Sequence, residues 1–481
     1  MKSSNNSVVS LTELYISGIS FSISIIYMYK INQSIPARSF LQKMFGYNRN
    51  IITVLLFFLL INVGVSDDII GKSFSNDYNT NLAVDENITV HNFQQGNWGN
   101  CGLVSSMATL AINKDLRNKI IPGGQNFEVD NSSNVVFNLY KLGKIHKVKV
   151  DKSLPIDGYG LTYGKRSSAN LVGLLLEKAL VQLHFDGNYE SSVNVEASFV
   201  LTSLSNNFFE DFLFPSGNTT YEPDEVLDHG FKTNSQMVSS FHDAGKSSQV
   251  MSNHAYTVVG ENGAKKKQVK LYNPHGKILS VDKSIFNETS GVLTMSYYDN
   301  KIFQIPEIKT SVEFIGNWQL LKNDKNFTFV DYDLLIEEED TDILINVVSK
   351  PSVDVKPLFF IVNNDYSIVS SNTANGNSIF YKASLRASLK RGKYKVVVAL
   401  ASWEKSMEFL ENGGNEFLFR LAASKQCSVE KSTNEENERI DEVLESHFVT
   451  LVLNVVSNGN LLFNVMKNLA TDALLNYFLG V

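Results

Sequence analysis

The sequence predicts an α+β unit followed by an antiparallel β-sandwich, and three observations predict it. Residues 169–184, ANLVGLLLEKALVQLH, place apolar side chains at helical spacing and predict a buried helix. Residues 254–274 read as a hairpin, because HAYTVVG and KKQVKLYNP alternate or run β-branched on either side of the turn residues GENGAK. From about residue 308 to 423 the texture changes to short strands separated by turn residues: FTFVDYDLLIEE, DILINVVS, PLFFIVN, YSIVSS, SIFYKASL, KYKVVVALAS and EFLFRLAA. That spacing, almost without helical period, is the pattern of an antiparallel sandwich.

The 481 residues exceed what one hydrophobic core supports, so two or three domains plus termini are expected. The two textures meet near Pro306, which divides residues 67–306 from a sandwich at 307–425. Within 67–306 a split near 190–200 is expected. Residues 426–481 read as a linker, with KSTNEENERIDE as its polar stretch or an exposed helix start, and a terminal strand and helix. Residues 1–66 hold the uncharged run IITVLLFFLLINVGV at 51–65, preceded by Lys43 and Arg49 and followed by Asp67 and Asp68. The run is short for a spanning helix and suits a signal-peptide core, with a membrane anchor as the other reading. The expectation is therefore the secretory pathway, secreted or membrane-anchored, with the cytoplasm as the alternative.

A net charge of -7 and a pI near 5.7 exclude a nucleic-acid partner on composition, since phosphate binding needs clustered Lys and Arg. Two cysteines build no disulfide framework, and a Cys101–Cys427 bridge is the most they allow.

The chemistry concentrates in QQGNWGNCGLVSSM, residues 94–107. A nucleophilic cysteine must reach the thiolate, which a helix N-terminus and a neighbouring histidine favour. Cys101 follows Gly99 and Asn100 and precedes the helix former LVSSMATLAI, so it sits at an expected helix start, where backbone N–H groups help form an oxyanion hole. Gln95 lies six residues earlier and offers a side-chain amide as a second donor. Of the eight histidines His254 is best placed, at the start of one hairpin strand. Asn273 on the partner strand would fix its tautomer and ring angle.

These stretches resemble the calpain-type cysteine proteases. QGNWGNCGLVSS is similar to that family's QGxLGDCW motif, and NHAYTVVG with LYNPHG to its GHAYSV and RNPWG. VKVDKSLP at 148–155, LLLEKALVQLHFDGNYE at 174–190, and the pair LKRGKYKVVVALAS and NEFLFRLAA agree in order, so the likeness runs from about residue 90 to 423. The resemblance implies a two-lobed papain-like core followed by a C2-like β-sandwich. It implies Cys101 as nucleophile, His254 as general base and acid, Asn273 as orienter and Gln95 as oxyanion donor. It also implies Ca²⁺ dependence with no ligand assigned, and protein or peptide substrates. Apart from the resemblance, membrane association through the N-terminal apolar segment or the sandwich is kept as a further partner expectation. No EF-hand loop is found, which implies an atypical member without that domain.

Three positions depart from the pattern: Asn100 for Asp, Gly102 for Trp, and His275 for the Trp that shields the His and Asn pair. The expectation is a more exposed hydrogen bond, with Trp98 filling part of the gap. Two function classes stay open, an active endopeptidase and a weak or inactive peptide- or membrane-binding protein, with a transglutaminase-like acyl transferase as a third.

Overall fold

The computed structural model describes residues 73–75 and, with short gaps, 88–446. The apolar run at 51–65, the rest of the N-terminal region and the segment from 447 to the end lie outside the described residues, so the signal-peptide, anchor and C-terminal helix expectations concern chain that is not described. Among the described residues no helix is long and apolar enough to cross a membrane.

The first lobe runs through β1 (Ser73–Ser75), β2 (Gln94–Gln95), α1 (Cys101–Ala108), α2 (Lys114–Ile120), the hairpin β3 (Val135–Lys141) and β4 (Lys144–Val150), and the short strands β5 (Leu154–Asp157), β6 (Gly160–Leu161) and β7 (Gly164–Lys165). It closes with α3 (Val172–Phe185) and α4 (Ala197–Ser205). Helix α3 is the predicted one, buried along most of its length because Leu174, Leu175, Leu176, Ala179 and Leu180 leave it little polar surface. The left-handed Asp186 ends it. Val200 and Leu204 of α4 join the same core, while Ala197 and Leu201 of that helix pack on Val238 and Ala255 of the second lobe.

The second lobe holds β8 (Phe209–Phe214), α5 (Pro223–Thr233), β9 (Gln236–Asp243), β10 (His254–Glu261), β11 (Gln268–Asn273), β12 (Lys277–Asp282), α6 (Ile285–Glu288) and β13 (Ser290–Ser296). Its strands form one antiparallel sheet in the order β12-β11-β10-β9-β13-β8. The predicted hairpin is β10 against β11, with Thr257 opposite Tyr272 and a register shift between Val258 and Gly260.

Beyond it follow β14 (Thr310–Asn317), β15 (Phe327–Ile336), β16 (Thr341–Ser349), β17 (Leu358–Asn363), β18 (Ile368–Ser371), β19 (Ser384–Leu389), β20 (Gly392–Ala401), β21 (Glu416–Ala423) and β22 (Cys427–Lys431). They make a four-stranded antiparallel sheet, β14-β21-β16-β19, and a five-stranded one, β18-β17-β20-β15-β22. Ile343, Phe419 and Leu421 of the first sheet and Leu334, Ile361 and Val398 of the second share one core, so the two sheets pack face to face. Strand β22 pairs with β15, Ile336 opposite Cys427, which carries the sheet past residue 425. Ile440 and Leu444 are buried against the same unit, where the sequence reading has a linker or an exposed helix start. Both cysteines are free, which excludes the Cys101–Cys427 bridge.

The candidate active site

Helix α1 begins at Cys101, with Asn100 as its N-cap. The helix lies against β10: Ser105 Oγ donates to the Ala255 carbonyl at 3.0 Å and Thr257 Oγ1 donates to the Ser105 carbonyl at 2.7 Å. That docking sets the half-buried Cys101 beside the residue that follows His254. Burial pushes the Cys101 thiol up from its ordinary value of 9.0, while the backbone N–H groups of Ala255, Gly102 and Cys101 itself pull the other way.

Asn253 takes the left-handed conformation immediately before β10, and Ala255 pairs with Ser240 of β9, so the chain enters the sheet at His254. His254 Nε2 lies 3.0 Å from Asn273 Oδ1. The same Oδ1 accepts the backbone N–H of His275 at 2.9 Å, and that N–H can only donate. The atom is therefore the amide oxygen, Nε2 of His254 is the protonated nitrogen, and Nδ1 is left with its lone pair. Burial, partly offset by the Asn273 hydrogen bond and reinforced by His275, lowers the His254 pKa from 6.5.

The His275 ring stacks on His254, centroids 5.1 Å apart and planes 4° apart. Tyr256 meets the His254 ring edge-on at 4.9 Å. His254 and Asn273 are only 7% and 9% exposed, so the bond is shielded although the expected Trp is missing. The expectation of an exposed pair fails because an imidazole covers it. Trp98 stays 37% exposed.

Gln95 is buried on β2, and its backbone N–H donates to the Pro274 carbonyl at 2.9 Å, tying the first lobe to the turn that holds His275. Its Nε2 donates to the Trp98 carbonyl, while Oε1 is buried without a hydrogen-bond partner. The second Nε2 proton remains for another acceptor. Gly276 closes the turn at φ +98, a left-handed conformation that favours glycine, and a Cβ there would meet the movable end of the Gln94 side chain at 2.7 Å.

Sequence reasoning missed one partner of the site. Asn100, fully buried, donates from Nδ2 to Glu177 Oε1 at 2.6 Å. Burial pushes the Glu177 carboxyl up to about 8, with Asn100 and the Gly164 backbone hydrogen bond lowering it in part. The EKA motif announced this glutamate, and the Asn for Asp replacement announced its partner. Two carboxyls there would share one proton; the amide removes that conflict. Gly102 also has a structural reason, because a Cβ at that position would collide with the Val195 carbonyl oxygen.

Residues 72–281 match the calpain family cysteine protease domain. They form a calpain family protease domain. Calpain-8 of Mus musculus is 27% identical over 197 residues, 38% of this chain and 28% of its own length. The calpain-1 catalytic subunit of Gallus gallus is 26% identical over 195 residues, 38% of this chain and 27% of its own. The calpain-1 catalytic subunit of Macaca fascicularis reaches 34% over 98 residues, 20% of this chain and 13% of its own. The matched stretch thus spans between about an eighth and little more than a quarter of these curated relatives. In this calpain domain the four residues the sequence picks out fall on β2, α1, β10 and β11, and hydrogen bonds join those elements to one another.

Proposed function

We propose that the protein is a cysteine endopeptidase, and the observation that carries the reading is the double acceptance at Asn273 Oδ1. With Nε2–H fixed on Asn273, His254 Nδ1 takes the Cys101 thiol proton as Sγ attacks a peptide carbonyl carbon. The carbonyl electrons move onto oxygen, where the Cys101 backbone N–H and the second Gln95 Nε2–H are the donors. Collapse breaks the C–N bond, the imidazolium returns its proton to the leaving amine, and water activated by His254 then hydrolyses the acyl-enzyme. The resting pair is a neutral thiol and a neutral imidazole, since burial opposes charge on both.

The two-sheet unit is read as the family's C2-like β-sandwich, and protein or peptide substrates as the partners. Residues 51–65 keep the secretory pathway as the proposed location, tested by sequencing the N-terminus of the natural protein. Calcium regulates the calpain family in general. Among the described residues no three His, Cys, Asp or Glu side chains gather around a metal position, so no calcium ligand is assigned. The acidic group Asp224, Asp228 and Glu261 is already held by Lys283 Nζ at 3.5, 3.1 and 2.8 Å. No step above passes through Ca²⁺.

The second reading, a peptide-binding protein without turnover, is favoured by one observation, the engagement of Gln95 Nε2 by the Trp98 carbonyl. Incubation of the full chain with an unfolded protein substrate separates the two. Cleavage that is lost in Cys101→Ala and His254→Ala supports the peptidase; a folded protein that binds the substrate and leaves it intact supports the second reading.

A further inference from the structure

Glu177 stands in the middle of α3 and is 2% exposed, with its two carboxyl oxygens turned to different parts of the Cys101 site. Oε1 accepts from Asn100 Nδ2 at 2.6 Å. The backbone N–H of Gly164 is the carboxyl's other donor, and a Cβ on Gly164 would stand only 2.9 Å from Oε2. Gly164 lies on β7, opposite Gln95 of β2.

The Asn100 end leads to the same glutamine. The backbone N–H of Asn100 donates to the Trp98 carbonyl at 2.9 Å, and Gln95 Nε2 donates to that carbonyl as well. The carbonyl of Asn100 accepts the Val104 N–H at 3.0 Å, at the start of α1. That carbonyl shares a peptide plane with the Cys101 N–H, so whatever holds Asn100 also aims the N–H. From Glu177 one path runs through Asn100 and Trp98 to the Gln95 side chain, and another runs through Gly164 to the Gln95 backbone. The two paths close a ring that carries both oxyanion donors. Packing alone does not account for the glutamate, because a carboxyl buried among Leu174, Leu175, Leu176 and Leu180 costs more than an apolar side chain would. Burial keeps it protonated up to about 8, so it sets no negative charge behind a developing oxyanion.

We propose that Glu177 is a positioning residue for the oxyanion hole, which through Asn100 and Gly164 holds the Cys101 N–H and the Gln95 amide at the spacing a tetrahedral oxygen needs. It acts through those residues rather than on the substrate. The inference rests on the peptidase reading above and adds to it the group that fixes its two donors.

The test compares the full-chain wild type, Glu177→Gln, Asn100→Ala and the double variant near neutral pH in two reactions of Cys101. One is cleavage of fluorescently labelled, unfolded casein, which passes through an oxyanion. The other is alkylation by iodoacetamide, in which Sγ displaces iodide and no oxyanion forms. Glutamine keeps the volume of Glu177, but in either orientation it has one oxygen for two donors. In each single variant kcat should fall by at least about tenfold, while KM and the alkylation rate change by less than about twofold. The double variant should be no slower than the slower single one, because both substitutions open the same ring. Where Glu177→Gln does not fold, Asn100→Ala carries the same comparison. An unchanged kcat would overturn the proposal, and so would an alkylation rate that falls in step with kcat, since that marks a general loss of site structure. A wild type that is alkylated at Cys101 and cleaves nothing overturns the peptidase reading and this inference with it. Cleavage at equal rates by the wild type and the variants overturns this inference alone.

Discussion

His275 does two things to His254 at once: its ring covers one face of that imidazole, and its electrostatic effect disfavours a second proton on it. Both lower the His254 pKa, so His275→Ala should raise it towards 6.5. The form that reacts holds one proton between Cys101 and His254. Below the imidazole pKa the pair gains a second proton and His254 cannot accept the thiol's; above the thiol pKa the pair loses its proton. The profile of kcat/KM against pH is thus expected to be a bell with its acid limb below 6.5 and its alkaline limb above 9.0. In His275→Ala the acid limb should move to higher pH, and an unmoved limb would remove His275 from the account. Glu177 gives a stability prediction of the opposite kind. Its folded pKa of about 8 lies above the ordinary 4.5, so the folded state holds the extra proton between those values. Stability from this group therefore falls as pH rises through that window, by at most about 5 kcal/mol. Thermal unfolding of Glu177→Gln should show a flatter dependence on pH from 5 to 8 than the wild type.

Helix α1 shows why an element can depart from its family's letters and keep its place. The Val195 backbone comes so close to Gly102 that no side chain fits after the nucleophile. Restoring the family's residue, Gly102→Trp, should displace that backbone and cost about 1–3 kcal/mol, the usual price of overpacking. Denaturant unfolding reads the cost, and a neutral result would mean that the 195 segment yields freely. Helix α3 and the β10–β11 hairpin were legible in the sequence because 3.6-residue spacing and strand alternation are local signals. Cys101, His254, Asn273 and Gln95 were picked out through motifs that stand in order along the chain, and the structure sets Asn273 against His254. The Asn100–Glu177 bond joins residues 77 apart, and nothing in local spacing marks which buried glutamate meets which amide. The cover over His254 was misread for a related reason, since His275 was read as a missing Trp rather than as a ring able to stack.

At the scale of the molecule, the two-sheet unit is joined to the second lobe by buried polar groups. Arg386 of β19 makes a two-pronged pair with Glu210 of β8 at 2.7 and 2.6 Å, and Tyr297 donates to the same carboxylate at 2.6 Å. Asn346 of β16 exchanges hydrogen bonds with the backbone of Phe209 at 3.0 and 2.7 Å. Such a joint is invisible to pattern reading, because its members lie 176 and 137 residues apart. Arg386→Ala strands a buried carboxylate and should cost about 3–5 kcal/mol, with separate melting of protease and sheets as its signature in calorimetry. A single unchanged transition would show that the pair does not couple them. The two lobes of the protease are likewise held together by direct bonds, from Ser105 and Thr257 on one side of Cys101 to Gln95 and Pro274 on the other. Those bonds bring the start of α1, where Cys101 stands, against β10, which begins at His254. Reaction of the full chain with an epoxide-type thiol-protease probe, followed by peptide mapping, tests this most directly. The account predicts one adduct, on Cys101, absent in Cys101→Ala and formed at least about tenfold more slowly in Asn273→Ala. A folded protein that takes up no probe, or that labels Cys427 as fast as Cys101, would contradict it.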